Sequence, residues 1–197
     1  MIYLFFKTVM RKTSNFFKYH VCTLHILILQ KFFKFEKWHI YGSSQPRYTE
    51  TVSEISNSLA EKGIVVEVGC GLGNILRRLE NPIRIGFDID LGVVKAAKFV
   101  NVHNRIQFLE GSFSEASKIS GIQTLIAINW VHNIKSQDLI QYLFNFPSVY
   151  FITEGVENYT YFHSREVFEP YFDILRDIQI ENRHIFLLVK KQNIFIQ

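Results

Sequence analysis

Three glycines at alternate positions, Gly69, Gly71 and Gly73, follow a β-branched apolar run, Ile64-Val-Val, and its continuation Glu67-Val68. After them Ile75, Leu76 and Leu79 fall at helical spacing. A strand, a glycine turn and a helix in direct succession form the layout of a nucleotide-cofactor loop at the end of a parallel strand. Glycine suits that turn because it tolerates φ > 0 and, lacking Cβ, lets the backbone lie against a ligand. Any fold for this chain has to place that turn at the edge of a sheet.

The rest of the chain supplies such a sheet. Thr49–Lys62 carries apolar residues at helical spacing and stops at Gly63. Ile64–Val68 is the first core strand, and Asn74–Glu80 reads as a short helix closed by Asn81-Pro82. A strand over Ile83–Phe87 ends on Asp88, and a helix runs from Leu91 to Val100. Arg105–Leu109 alternates as a half-buried strand, with Gly111-Ser-Phe after it. Ile122–Ile128 is a continuous apolar run of the fully buried parallel type. Ser136 is placed to cap a helix reaching about Asn145, and Val149–Thr153 forms a fifth strand. A short helix near His163–Glu169 precedes two last strands, Phe172–Ile180 and Ile185–Lys190, paired as a hairpin across Glu181-Asn-Arg. The expected fold class is α/β: a Rossmann-like open sheet of seven strands, mostly parallel with an antiparallel C-terminal hairpin, helices on both faces.

A length of 197 residues suits one such domain, here residues 49–197, preceded by a basic, aromatic helical segment over residues 1–48. Residues 1–41 carry seven Lys or Arg against Glu36 alone, a net +6, whereas the whole chain carries +4 and the remainder is therefore acidic by 2. A nucleic-acid-binding domain is expected to carry its positive charge on the folded face, so this distribution counts against nucleic acid as a partner. The longest unbroken apolar stretch of the segment, Ile26-Leu-Ile-Leu29, is far short of the roughly 20 residues of a spanning helix. The segment reads as one or two amphipathic helices packed on the core; interleaved Lys and Phe also suit peripheral contact with an anionic membrane through residues 1–40. Two cysteines, Cys22 and Cys70, form neither a C-x-x-C pair nor a disulfide framework, and no metal-ligand spacing is present. A reducing, cytoplasmic location is the expectation.

The glycine spacing separates two cofactors. A dinucleotide loop, G-x-G-x-x-G, needs glycine at position 74 when counted from Gly69, and position 74 is Asn. The chain instead has E-x-G-x-G-x-G, with Asp88 at the end of the next strand, 21 positions after Glu67. In this it resembles the class I (Rossmann-like) S-adenosylmethionine-dependent methyltransferases over about residues 50 to 190. The resemblance implies S-adenosylmethionine as cofactor, held by Glu67, Gly69, Cys70, Gly71 and Gly73 in the loop. It assigns the ribose to Asp88, with Ile89 beside it, and Asp90 is the alternative ribose ligand. Ser112 and Phe113 match the adenine contacts, although the family often has Asp or Asn at the first of these. Asn129 falls on the fourth-strand motif next to the transferable methyl. Thr124 stands where that strand often begins with Asp.

If the acceptor is a hydroxyl, a general base has to take its proton. His132, just beyond the fourth strand, is the first candidate, because histidine exchanges protons near neutral pH. Glu154 at the tip of the fifth strand is the second, and His163 and His39 rank below them. Trp130, Trp38 and Tyr41 are placed to wall an acceptor pocket of few charges, which suits a small-molecule or saccharide-type acceptor methylated at oxygen. Asn129-Trp-Val-His132 lacks the prolines and final aromatic of the [D/N]-P-P-[Y/F] motif of nucleic-acid amino-methyltransferases, a second argument against a base amine. Two other functions stay open at this stage: a catalytically degenerate cofactor-binding protein, and a membrane-surface methyltransferase of a lipid-linked acceptor.

Overall fold

Each of the five strands expected before the hairpin becomes a parallel strand, and the last two strands close the sheet as an antiparallel pair. The computed structural model describes residues 15–42 and 46–192. The strands are β1 (Ile64–Val68), β2 (Ile83–Asp88), β3 (Gln107–Glu110), β4 (Ile122–Ala127), β5 (Ser148–Val156), β6 (Phe172–Ile180) and β7 (Arg183–Lys190). Their order in the sheet is β3-β2-β1-β4-β5-β7-β6, parallel from β3 to β5 and antiparallel from β5 through β7 to β6. The sequence reverses direction between β1 and β4, and in open α/β sheets ligands bind at such a switch point, beyond the carboxyl ends of the strands. The glycine turn leaves β1 at that place.

Alternation along the central strands explains why both faces are covered. Val66 and Val68 of β1, Leu125 of β4, Phe151 of β5 and Phe186 of β7 pack on one side with Leu139 and Leu143 of α6 (Ser136–Asn145). Phe113 and Ala116 of α5 (Phe113–Ala116) and Phe168 of α7 (Arg165–Phe168) join that layer. Val65, Ile126, Ile152, Ile185 and Leu187 face the other way, against Val52 and Ile55 of α3 (Pro46–Asn57) and Val94 and Ala97 of α4 (Leu91–Val100). Two-sided burial is what parallel strands require, and it accounts for their continuous apolar runs. The exposed edge strand β6 instead carries Asp173, Arg176 and Asp177 and a register shift between Ile174 and Arg176, both of which discourage pairing with another chain.

The preceding segment adds two helices, α1 (Asn15–Phe33) and α2 (Trp38–Gly42). Ile26, Leu29 and Phe35 pack with Val93 and Ala96 of α4 and with Leu72 of the glycine loop. The expected aromatic-basic stretch before Asn15 lies outside the described residues, as do residues 43–45 of the expected loop, residues 193–197, and the side chains of Cys22 and Tyr41.

Local expectations change at several places. The fifth strand runs on to Val156, so Glu154 lies buried within it and not at its tip. The helix expected over Asn74–Glu80 is one 3-10 turn, Leu76–Arg78. Proline at 82 disfavours helical backbone at Asn81, and Arg84 captures the carbonyls that a longer helix would use: its Nη1 donates to Leu76 O and Leu79 O, and its Nη2 to Asn104 O. The helix expected to reach Lys62 ends at Asn57, whose side-chain amide donates to Arg78 O and accepts from Glu80 N. Ser136 is not a cap. Lys135 holds that position without a side-chain bond, and the Ser136 hydroxyl meets His163 Nδ1 at 3.0 Å.

Arg84 thus ties the turn after the glycine loop to the segment before β3 with three charge-assisted bonds. Arg84→Met keeps the aliphatic stem and leaves those carbonyls without their donor, at a cost of about 2 kcal/mol. A chain of this size should then melt roughly 4–8 °C lower in a calorimetric scan. An unchanged melting temperature would show that water replaces the guanidinium at no cost.

Candidate active site

Backbone geometry at the end of β1 requires the glycines. Gly69, Gly71 and Gly73 have φ of 77°, 52° and 74°, in the left-handed region. A Cβ at Gly69 would lie 2.2 Å from Trp130 Nε1, and one at Gly73 would lie 2.6 Å from the Phe108 ring. The turn is anchored on β2: Gly69 N and Cys70 N both donate to Phe87 O, at 2.8 and 3.0 Å. Gly71 N donates to Asp88 Oδ2 at 2.9 Å, and Asp90 N to Asp88 Oδ1 at 3.0 Å. Burial raises the pKa of Asp88, an effect opposed by these N–H donors and by His39.

Asp90 has other work. It caps α4, its Oδ1 accepting from Gly92 N and Val93 N while Oδ2 accepts from Glu36 N. Of the two acids, therefore, Asp88 is the one that lines the cavity. His39 of α2 lies above it, with Nε2 3.9 Å from Asp88 Oδ1 and 3.4 Å from Asp90 Oδ2. Its ring is buried, stacked on Trp38 at 3.5 Å, and burial lowers its pKa in spite of the two carboxylates.

Glu67 is enclosed beneath the loop on the central strand. Its Oε2 has no hydrogen-bond partner. Burial, with the nearby Asp88 charge adding to it, holds the carboxyl well above the ordinary range; the Leu76 N–H, which favours the charged form, is the weaker influence. The Cys70 thiol is likewise pushed up by burial and donates to Gly71 O at 3.7 Å, so it is an inert packing group.

At the end of β3, Ser112 caps α5 in a capping box: Ser112 N and Oγ donate to Glu115 Oε2 at 2.8 Å each, and Ser114 N donates to Ser112 Oγ at 3.2 Å. Those bonds occupy the Ser112 hydroxyl proton. Phe113 stacks on Tyr142 at 5.1 Å and contacts Trp130 at 5.3 Å. Ile89, 72% exposed, stands at the rim.

Beyond β4, Asn129 adopts φ of 70° and its N–H donates to Glu154 Oε1. The turn throws Trp130 back over Gly69, where its Nε1 donates to Val68 O at 2.7 Å. Glu154 is fully buried and pairs with Arg183 Nη1 through Oε2 at 2.7 Å. The Arg183 guanidinium also lies 5.2 Å from the centre of the Tyr48 ring. His132 sits in the 3-10 turn Val131–Asn133, its Nδ1 3.7 Å from Glu154 Oε1 and its ring 4.2 Å from that of Tyr159. His163 is elsewhere: fully buried, its Nε2 meets Val131 O at 2.9 Å, which fastens the turn that carries His132. Burial lowers its pKa.

One cavity of about 680 Å³ joins these groups, lined by Asp88, Ile89, Ser112 and Phe113 from the β2–β3 side and by Asn129, Trp130, His132 and Arg183 from the β4–β7 side. Tyr142, Tyr159 and Trp38 complete its aromatic wall. Neighbouring strands lie ~4.8 Å apart, so a cavity reaching from β3 to β7 extends on the order of 20 Å. Glu67, Cys70 and Gly71 line a smaller adjoining hollow with His39 and Tyr48. Glu154 lines neither. Arg183, Tyr142 and Tyr159 escape sequence reasoning, Arg183 because it lies beside the hairpin turn and reads as part of it. Among the described residues no three His, Cys, Asp or Glu side chains gather as a metal-binding cluster.

No protein-family profile matches the chain, and no curated protein matches its sequence. Solved structures do share the fold. The magnesium protoporphyrin IX methyltransferase of Synechocystis PCC 6803, solved with S-adenosylmethionine bound, superposes with a TM-score of 0.59 at 16% identity, over 74% of this chain and 79% of that one. The 16S rRNA methylase ArmA gives 0.61 at 14% identity, over 78% and 89%. A putative RNA methyltransferase from Pyrococcus horikoshii gives 0.57 at 15% identity, over 74% and 83%. The chain therefore has the seven-stranded, Rossmann-like fold of class I methyltransferases, as the glycine pattern implied. Among these neighbours one is named for a porphyrin and others for RNA, so the fold offers no ground for setting nucleic acid aside.

The buried Glu67 carries a pH signature. Its raised pKa means that the folded chain keeps a proton which the unfolded chain releases above the ordinary value of 4.5. The stability contributed through this group is complete below that value and is lost as pH rises toward the folded pKa. Glu67→Gln abolishes the titration, so its melting temperature relative to the parent should climb as pH is raised from 4.5 toward neutrality. Parallel profiles for the two proteins would contradict the assignment.

Proposed function

We propose that the chain is an S-adenosylmethionine-dependent methyltransferase that acts on a hydroxyl of a small or saccharide-type acceptor. The observation that carries this reading is the single cavity that runs from Asp88 across the ends of β1 and β4 to His132. It is long enough for a nucleoside at one end and a second molecule at the other.

The residues fit the cofactor. Asp88 keeps lone pairs for two ribose hydroxyls while its carboxylate holds the loop. Ile89 and Phe113 offer apolar surface on either side of an adenine. The partnerless Glu67 Oε2 and the left-handed loop over Gly69–Gly71 are suited to the amino-acid end. When bound, the cofactor supplies an electrophilic methyl group on a sulfonium, displaced in line by the acceptor oxygen.

The acceptor half is aromatic. Trp130, Tyr142 and Tyr159 offer flat faces to a sugar ring or another planar group. His132 is the catalytic residue, accepting the hydroxyl proton as the oxygen attacks. Glu154 is a positioning residue: sealed from the cavity, it fixes the Asn129 turn and holds a negative charge 3.7 Å from the imidazole that becomes positive. Arg183 holds Glu154 in place.

Titration calorimetry should show saturable binding of S-adenosylmethionine. Asp88→Asn places an amide donor against the donating N–H of Gly71 or Asp90 and should weaken that binding at least ~10-fold, about 1.4 kcal/mol. No heat from well-folded parent protein would end the cofactor assignment. Labelled-methyl transfer to pooled hydroxylated metabolites tests the acceptor half. There, His132→Ala should lower kcat by roughly 10²–10⁴ while leaving cofactor affinity within about twofold. Label entering RNA instead of small molecules would overturn the acceptor and leave the donor standing.

A further inference from the structure

The helix α1 is apolar on two opposite faces. At 100° per residue, Ile26, Leu29 and Phe33 share the side that packs on α4, and Leu24, Leu27, Ile28 and Lys31 share the side that faces away. Leu24, Leu27 and Ile28 are 54%, 45% and 53% exposed, and Phe32 at the flank is 81% exposed. The Phe32 ring meets Phe33, which meets the exposed Phe99 of α4 at 5.6 Å, so the ridge continues onto the next helix. A helix that is apolar on two opposite faces normally has cover on both. Here the outer cover is absent from the folded chain described.

We infer that this ridge seats the protein on an anionic lipid surface, with α1 lying in the plane of the interface. Charge decides between the occupants. Lys31 stands in the middle of the apolar strip, and exposed Lys34, Lys37 and Lys98 lie about its end, against Glu36 as the one acid of residues 1–41. In a dry seam between two copies of the chain, a central lysine would be desolvated beside its own twin. At a bilayer the same ammonium extends to a lipid phosphate while its methylenes and the leucines enter the acyl boundary. That local excess of exposed lysines over acids orients this side toward negative charge. Among the described residues no helix is long and apolar enough to cross a membrane, so the contact is peripheral. Lipid attachment and methyl transfer are separable properties, since none of these residues except those of α2 approaches the cavity.

Flotation of the full chain with phosphatidylcholine vesicles, alone and with about one third phosphatidylglycerol, tests the inference. Binding should appear only on the anionic vesicles and fall at least ~10-fold when salt is raised from about 0.05 to 0.5 M. Lys31→Glu with Lys34→Glu, and separately Leu27→Gln with Ile28→Gln, should each abolish it. All four positions face outward, so circular dichroism and the melting temperature should match the parent. Equal binding to neutral and anionic vesicles, or none to either, would overturn the inference. A dimer in light scattering that the Leu27→Gln, Ile28→Gln protein loses, without vesicle binding by the parent, would overturn it in favour of a second copy.

Discussion

One carboxylate organises the ligand-binding end of the sheet. Asp88 receives Gly71 N–H on one oxygen and Asp90 N–H on the other, so it fixes the glycine turn of β1 and the start of α4 together. Asp90, held in that way, caps α4 and accepts from Glu36 N, which brings the N-terminal segment onto the same point. The arrangement places a charged group in a nearly dry site, and burial opposes its ionisation. Directed N–H dipoles and the neighbouring imidazole offset that cost, which is the usual condition for a buried carboxylate to persist. The loop is thus held by electrostatics as much as by the freedom of its glycines.

A second anchor stands on the other side of the switch point. Glu154 joins three strands: its own β5, the turn after β4 through Asn129, and β7 through Arg183. Removing one member of such a buried pair leaves an uncompensated charge, typically a loss of about 3–5 kcal/mol. Glu154 also stands behind His132, 3.7 Å from Nδ1, and is too enclosed to reach the cavity.

The fold was largely legible because its signals are local and repeated. Continuous apolar strands, alternating with helical periods, leave few alternatives to a parallel sheet with both faces covered. The glycine loop and Asp88 were legible for the same reason: turn geometry and strand ends are written in neighbouring residues. The failures have a common cause in long-range bonds. Arg84 reaches across from β2 to hold the turn after the loop, and nothing near Asn74–Glu80 in sequence records that. Ser136 looks like a cap until His163, 27 positions away, takes its hydroxyl. Ser112 lines the cavity and also closes a capping box that the local S-x-x-E spacing with Glu115 carries. Arg183 could not be recognised from its neighbours, because its partner is Glu154 and its value lies in the pairing.

That pairing has a temporal side. Arg183 opens β7, opposite Val156 of β5, and comes late in the chain. During synthesis, β1 to β5 and the glycine turn emerge first, and Glu154 then has no counter-charge to keep it inside. Strand side chains alternate between faces, so a slip of one residue in the hairpin would send the guanidinium to the wrong side of the sheet. Only a correctly registered β7 neutralises Glu154 and lets the wall around His132 close. The wall of the cavity is therefore completed only once the C-terminal hairpin is in register.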